Sequence, residues 1–159
     1  AIVAIAVGVA LLVRGPQLSP YEDAAVRQDV RAASERFASA INTYDVTDLD
    51  PYVKRVKPLL TDELAEQFEA STQDLLARFA ETKIVSRGTV NQVAIDSIDV
   101  DSAETLAAIT VGTEPENLQY GQPRLRWKIS LIKVDGKWLV DNFSNVTVQE
   151  SAPAAQEEE

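Results

Sequence analysis

The sequence predicts an α+β domain in which three N-terminal helices pack on one face of a curved, four-stranded antiparallel sheet. In the first half of the chain, apolar residues recur at the spacing of amphipathic helices. After residue 83, stretches rich in β-branched and aromatic residues alternate with turn residues, which is typical of antiparallel strands. With 159 residues, of which 45% are hydrophobic, the chain can build one compact core. Helices followed by strands is the element order of a two-layer α+β domain.

Three helices are predicted before residue 82. The first covers residues 21–44, where one apolar stripe is formed by Val26, Val30, Ala33, Phe37, Ala40, Ile41 and Tyr44. Asp50 and Pro51 supply an N-cap and a first-turn proline for a short second helix, which Pro58 ends. Thr61 caps a third helix. Its inward-facing residues are Leu64, Phe68, Leu75 and Phe79.

Four strands are predicted after the helices, at 84–98, at 104–113 and in the two arms of a hairpin over 125–148. Asp135 and Gly136 form the two-residue turn of this hairpin. Counting back from the turn predicts these facing pairs: Leu131 with Val140, Ile129 with Asn142, Trp127 with Ser144, and Leu125 with Val146. All four pairs are expected to face the helices.

The two ends of the chain are predicted to lie outside the domain, which covers 21–148 and follows a linker at 14–20. Residues 1–13 carry no polar side chain and would span roughly 20 Å as a helix. They are predicted to be part of a transmembrane helix, with a signal-peptide core or a buried helix as alternatives. Residues 149–159, the acidic tail, contain four glutamates and no large apolar residue, so we expect them to be disordered.

The composition argues against most catalytic and metal-dependent functions. The chain has no Cys and no His, so disulfides, thiolate metal sites and the commonest general base are missing. A net charge of −10 disfavours nucleic-acid binding. The acidic series at Asp96, Asp99, Asp101 and Glu104 lacks the glycine of a calcium-binding loop, and a hairpin turn is expected there. We therefore expect a protein that is not an enzyme and that has neither metal nor cofactor.

One side of the hairpin is the candidate interface. Its first arm carries a basic row, formed by Arg124, Arg126 and Lys128, in an otherwise acidic chain. This row is either a solvated sheet face or a contact for an acidic partner or anionic head groups. The register count adds three apolar side chains to the same face: Ile132, Leu139 and Phe143. Asn142 and Ser144 are placed on the core face instead, where they are pocket candidates or ordinary buried polar residues.

Several short runs, taken in order, resemble a known family. These are FASAINTYD at 37–45, LLT at 59–61 before Phe68 and Ser71, VSRGTV at 85–90, and VDGKWLV at 134–140. Across residues 21–148 the set resembles the Mce-associated membrane proteins of actinobacteria. The resemblance implies a cystatin-like or nuclear-transport-factor-like cone that is related to a bitopic type IV secretion component. It also implies a single-pass protein of the cell membrane with an extracytoplasmic domain.

The same resemblance implies a function and its partners. The protein would be an accessory subunit that stabilises a Mce-type lipid importer by protein–protein contacts. Its partners would be Mce subunits or other membrane complex proteins, the membrane itself and, as a further candidate, a second copy of the chain.

Two other functions stay open. A type IV secretion or conjugation scaffold is the first. The second is a cone that binds a lipid or steroid in a cavity ending on Asn142 and Ser144. Steroid isomerases of this fold use an Asp base with a Tyr, and Tyr44 and Asp45 are the only residues proposed for such parts. Their simpler interpretation is that Tyr44 completes the first helix stripe and Asp45 turns the chain.

Overall fold

A computed structural model describes residues 19–77, 81, 83–116 and 123–146 of the chain. The predictions for residues 1–13, for most of the 14–20 linker and for the acidic tail lie outside these ranges. The inward orientation predicted for Leu75 and Phe79 also lies outside the described side chains. Within the described part of the chain, no helix has the length and apolarity needed to cross a membrane.

Three α-helices form where the sequence predicts them, with somewhat different ends. They are α1 (Ala24–Ile41), α2 (Asp50–Val56) and α3 (Asp62–Ala77), and a 3₁₀ helix (Lys57–Leu59) joins the last two. Helix α1 is shorter than the predicted 21–44 because Asp23 caps it, with its carboxylate accepting hydrogen bonds from the backbone N–H groups of Ala25 and Val26. Asp50 is in the first turn of α2 and does not cap it.

The strands form one antiparallel sheet in sequence order. They are β1 (Tyr44–Asp45), β2 (Val85–Ile98), β3 (Ser102–Glu114), β4 (Arg124–Val134) and β5 (Lys137–Asn145). The four predicted strands are confirmed as β2 to β5. The additional strand β1 has two residues, and it pairs Tyr44 with Ser86 and Asp45 with Val85.

The helices cover one side of the sheet, which we call the inner face. Every buried residue of β3 and β4 is on this face, because strand side chains alternate between the two sides. Val30 and Phe37 of α1 have no exposed surface, and neither do Ile109 and Ile129 of the sheet that they cover. The opposite side, the outer face, has no buried residue in these two strands. The core is therefore a single layer between helices and sheet.

The predicted register of the hairpin holds only as far as Val140. Leu131 faces Val140 as expected, but the next pair is Ser130 with Asn142, so that Asp141 is an extra residue in β5. Such a β-bulge shifts the alternation by one position, and every later side chain changes face. Ile129 therefore faces Phe143, and not Asn142. The predicted pairings of Trp127 with Ser144 and of Leu125 with Val146 are wrong for the same reason.

Candidate docking surface on the outer face of the sheet

The basic row is on the outer face of β4, as predicted. Arg124 and Arg126 are exposed and Lys128 is half-buried, while the residues between them point toward the core. Their neighbours across the ladder on β3 are Thr110, Ala108 and Leu106. These neighbours are short or uncharged, so they leave the cationic groups accessible.

Lys128 is neutralised by an acidic residue on the next strand. Its Nζ is 2.9 Å from Oε2 of Glu104, and both side chains remain more than one third exposed. The hydrogen bond to Glu104 and the charge of that carboxylate raise the pKa of Lys128 above its ordinary value. A pair this exposed contributes little to stability, but it removes one charge from the row.

The other end of the row consists of Arg124 and Arg126, for which no such ion pair is described. Among the residues whose side chains the structure describes, no carboxylate is within 4 Å of Arg124 or Arg126. Both guanidinium groups therefore present their hydrogen-bond donors to whatever approaches the outer face. Arginines in this state suit recognition of carboxylates, because the planar fork can bind one in bidentate fashion.

Apolar side chains continue the outer face toward the hairpin turn. Ile132 and Leu139 face each other across β4 and β5, and both are half-buried. Sequence reasoning missed two further apolar residues of the outer face: Val134 beside the turn, with 40% of its surface exposed, and Leu106, which faces Lys128 of the basic row and is 42% exposed. Leu106 could have been found, because it is a large apolar residue in the outward phase of β3. We call this set, with the basic row, the docking surface.

Phe143 does not belong to this surface. Its ring contacts the ring of Phe37 with a centroid distance of 4.9 Å and that of Trp127 at 5.5 Å, so it packs on the inner face. The prediction of an outer position is wrong because the bulge at Asp141 reverses the alternation. The sequence did hold a signal, since the spacing of apolar residues in β5 changes from two to three after Val140.

Asn142 and Ser144 are also on the side opposite to the one predicted. Both are exposed on the outer face, where they lie across from Ser130 and Lys128. Four surface concavities of about 320 to 600 Å³ are formed by described residues, and none of these four is lined by Asn142 or Ser144. The expectation that these two residues line an interior pocket is therefore wrong.

One of these concavities adjoins the docking surface. It has a volume of about 590 Å³ and lies between the 3₁₀ helix and the hairpin turn. Val134 and Leu139 form one wall, and Lys54 and Lys57 are on the other. Of these lysines, Lys57 is paired with Glu69 at 2.7 Å. The groove thus extends the apolar part of the docking surface around the edge of the sheet.

Tyr44 and Asp45 make contacts within strand β1 and the segments next to it. Oδ1 of Asp45 accepts hydrogen bonds from the hydroxyl of Thr47 at 2.6 Å and from its backbone N–H at 2.8 Å. These bonds hold the pKa of Asp45 below its ordinary value, whereas a general base working near neutral pH benefits from a raised one. Tyr44 is not part of the helix stripe, because it lies in strand β1, where its ring contacts that of Tyr52. The expected turn at Asp45 is confirmed.

Two members of the acidic series, Asp99 and Asp101, lie in the β2–β3 turn, as expected, whereas Asp96 is in β2 and Glu104 is in β3. The backbone N–H of Asp99 donates to the carbonyl of Ser102 at 2.8 Å. Over the described ranges, no three carboxylates come together in a group that could hold a metal ion.

No protein-family model matches the chain, and no curated protein matches it. Solved structures are similar to it in fold. The periplasmic domain of DotI gives a TM-score of 0.62 at 14% identity, over 84% of this chain and 100% of that chain. An IcmL-like type IV secretion system protein from Legionella pneumophila gives 0.57 at 12% identity, over 79% and 96%. A protein of unknown function from Nostoc punctiforme with a cystatin-like fold gives 0.52 at 14% identity, over 82% and 96%.

Identities this low establish likeness of fold. The element order, the three helices on the inner face and the curled antiparallel sheet agree with that likeness. The chain has the cystatin-like α+β fold that the sequence predicts.

Proposed function

We propose that this domain is a non-enzymatic scaffold that joins a membrane complex by binding a partner protein through its docking surface. The observation that carries the proposal is the combination, on one face of the sheet, of two exposed arginines, which no described carboxylate approaches within 4 Å, with half-buried and exposed apolar side chains. Arginine beside apolar surface is the composition typical of protein interfaces. The partner surface would be acidic at one end and apolar at the other.

The solved structures support a particular kind of complex. One neighbour is a periplasmic domain and another is a type IV secretion system protein. We accordingly propose an extracytoplasmic position for this domain, behind the apolar segment 1–13, in a secretion or conjugation machine. A single-pass anchor of this kind would confine the docking surface to the layer next to the membrane.

A Mce-type lipid importer is the second candidate complex. It is favoured by the ordered sequence runs, above all FASAINTYD at 37–45 and VDGKWLV at 134–140. The same docking surface would serve either complex, because both proposals use the domain only for protein–protein contact.

The inner face offers a physical reason to prefer docking over ligand binding. In a lipid- or steroid-binding cone the space between sheet and helices holds the ligand. Here Phe143 packs in that space against Phe37 and Trp127, with centroid distances of 4.9 and 5.5 Å. These rings occupy volume that a ligand would need.

Crosslinking with mass spectrometry in the native membrane tests the proposal, using the whole protein and its Arg126→Glu variant. Charge reversal at Arg126 should lower the recovery of crosslinked partners by about tenfold, the equivalent of about 1.4 kcal/mol. Arg31→Glu is the matched control, because Arg31 is an exposed arginine on α1 in the helical layer. Both variants should keep the unfolding free energy within about 0.5 kcal/mol of the parent.

The identity of the crosslinked proteins separates the candidates. Secretion or conjugation components would support the first complex, and Mce subunits would support the second. Equal recovery with the Arg126→Glu and the parent protein would overturn the docking surface itself.

A further inference from the structure

We infer that two copies of this chain associate through the free edge of β2, residues 90–98, which pairs with the same edge of the second copy in antiparallel fashion and joins the two sheets into one. Strand β3 lies between this edge and the basic row on β4. The inference therefore goes beyond the proposed function, because it uses neither the basic row nor the apolar residues of the hairpin.

The edge of β2 is unpaired over most of its length. In the described part of the chain, β1 pairs with β2 only at Val85 and Ser86. Beyond these residues, the backbone N–H of Gly88 donates to the side-chain oxygen of Thr43 at 3.1 Å. From residue 90 to residue 98, the described residues form no second ladder along β2. An unpaired edge of this length is a template for another strand.

The register with β3 shows which backbone groups of β2 point to the free edge. The N–H of Val111 donates to the carbonyl of Pro123 on the β4 side, so every second residue of β3 back to Ala103 directs its backbone groups toward β4. Facing residues of an antiparallel ladder point either toward each other or both away. The β2 partners of this β3 set therefore point to the free edge. Between 90 and 98 these partners are Val90, Val93, Ile95 and Ile98.

The spacing of these four residues selects a second copy of the chain as the partner. Two bulges, at Asn91 and Asp96, make the intervals along the edge three, two and three residues. A regular strand presents its backbone groups at every second residue, so it cannot follow this edge over the whole length. The series of intervals is the same in both directions. Two antiparallel copies of the edge therefore match at all four positions.

The apolar side chains of the edge fit this pairing. Val90 would face Ile98 of the second copy, and Val93 would face Ile95 of the second copy. All four side chains belong to the core or pack against it, so each pair joins apolar groups on the inner face. A concavity of about 470 Å³ lies beside Val90, between α1 and β2. It has room for the side chain of Ile98 of the second copy.

Ala94 lies at the centre of the pairing, opposite Ala94 of the second copy. It is exposed, and it faces Leu106 on the outer side of the sheet. Its backbone groups point to β3, so the two facing Cα atoms would be only about 4.5 Å apart, which suits a small side chain. Asp96 is the one charged residue between 90 and 98, and it would lie across from Gln92 of the second copy. The two Asp96 carboxylates are therefore not opposed.

Disulfide formation from single cysteines tests the register, because the chain has no cysteine of its own. In the whole protein in detergent micelles, Ala94→Cys should give a disulfide-linked dimer on mild oxidation with diamide, since the two thiols face each other. Asn142→Cys, exposed on the outer face of β5, is the matched control and should form its disulfide about tenfold more slowly. Both variants keep residues 1–13, so any association through that segment affects them equally.

Amide hydrogen exchange of the parent protein is a second measurement. The N–H groups of Val93 and Ile95 are free in one copy and bonded in the pair, so their exchange should slow about tenfold or more as the protein concentration rises. The N–H of Phe143 points to the opposite edge of the sheet by the same alternation, and its exchange should not change. Ala94→Lys puts like charges opposite each other and should abolish the slowing at Val93 and Ile95.

Equal disulfide rates in the two cysteine variants would overturn the inference. Exchange at Val93 and Ile95 that does not depend on concentration would overturn it as well. Since neither measurement involves a partner protein, either failure leaves the proposed docking function standing.

Discussion

Phe143 packs edge-on against Phe37, with ring centroids 4.9 Å apart and an angle of 61° between the ring planes. This contact joins the last strand to the first helix. It exists because Asp141 is bulged out of the ladder and turns Phe143 inward. The contact therefore reports directly on the register of β5.

Phe143→Ala should destabilise the domain by about 2–3 kcal/mol, because it removes a half-buried ring from an aromatic cluster. The free energy of unfolding from urea titration measures this. Val146→Ala is the control, since Val146 is at the outward end of the same chain segment and 37% exposed, and should cost less than about 0.5 kcal/mol. An unchanged free energy of unfolding in the Phe143→Ala protein would contradict the inner position of Phe143.

Gly88→Ala should cost about 1–3 kcal/mol, because the added Cβ would be 2.5 Å from Cβ of Asn42, at the end of α1. Gly112→Ala provides a matched control on the neighbouring strand, where a Cβ meets nothing within 4 Å. Thermal unfolding of the two variants side by side measures the difference. Similar melting temperatures would show that α1 and β2 are not packed as closely as described.

Ser34→Ala and Thr105→Val should each destabilise the domain, because the two hydroxyls share a buried hydrogen bond of 2.8 Å between α1 and β3. A single change leaves the partner hydroxyl buried without that bond, at a cost of about 1–2 kcal/mol. The double variant should cost less than the sum, with a coupling of about 1 kcal/mol in urea unfolding. Ser39→Ala on the same helix is the control. Strict additivity would contradict the hydrogen bond.

The titration of Asp45 should have its midpoint below 3.8, because the hydroxyl and then the backbone N–H of Thr47 stabilise its ionised form and lower its pKa. A folded-state pKa below the unfolded one stabilises the fold above the unfolded pKa, and this stabilisation is lost as pH falls through the folded pKa. Thr47→Val should raise the midpoint toward 3.8 in carboxyl ¹³C NMR spectra. Thr89→Val, on β2, should leave it unchanged. A midpoint above 3.8 in the parent protein would reopen the catalytic interpretation of Asp45.

Local signals were enough for the element types and for the basic row. The helical apolar stripe around Phe37, the capping role of Thr61 and the Asp135–Gly136 turn each act within a few residues. Alternation along β4 placed Arg124, Arg126 and Lys128 together on one face, since period-two geometry needs no distant contact. The absence of Cys and His likewise restricts the available chemistry through composition alone, whatever fold the chain adopts.

Local signals could not predict which face each side chain takes after a bulge, because one extra residue in a strand reverses every side chain that follows it. The choice between bulging Asp141 and keeping strict alternation depends on whether Phe143 gains more by packing on Phe37 and Trp127 than by facing water. That choice depends on contact with α1, which is far from β5 in the sequence. It is therefore decided only when the helices pack on the sheet. The same long-range packing places Asn142 and Ser144 on the surface and leaves Ile132, Leu139 and the basic row as the predicted residues that belong to the docking surface.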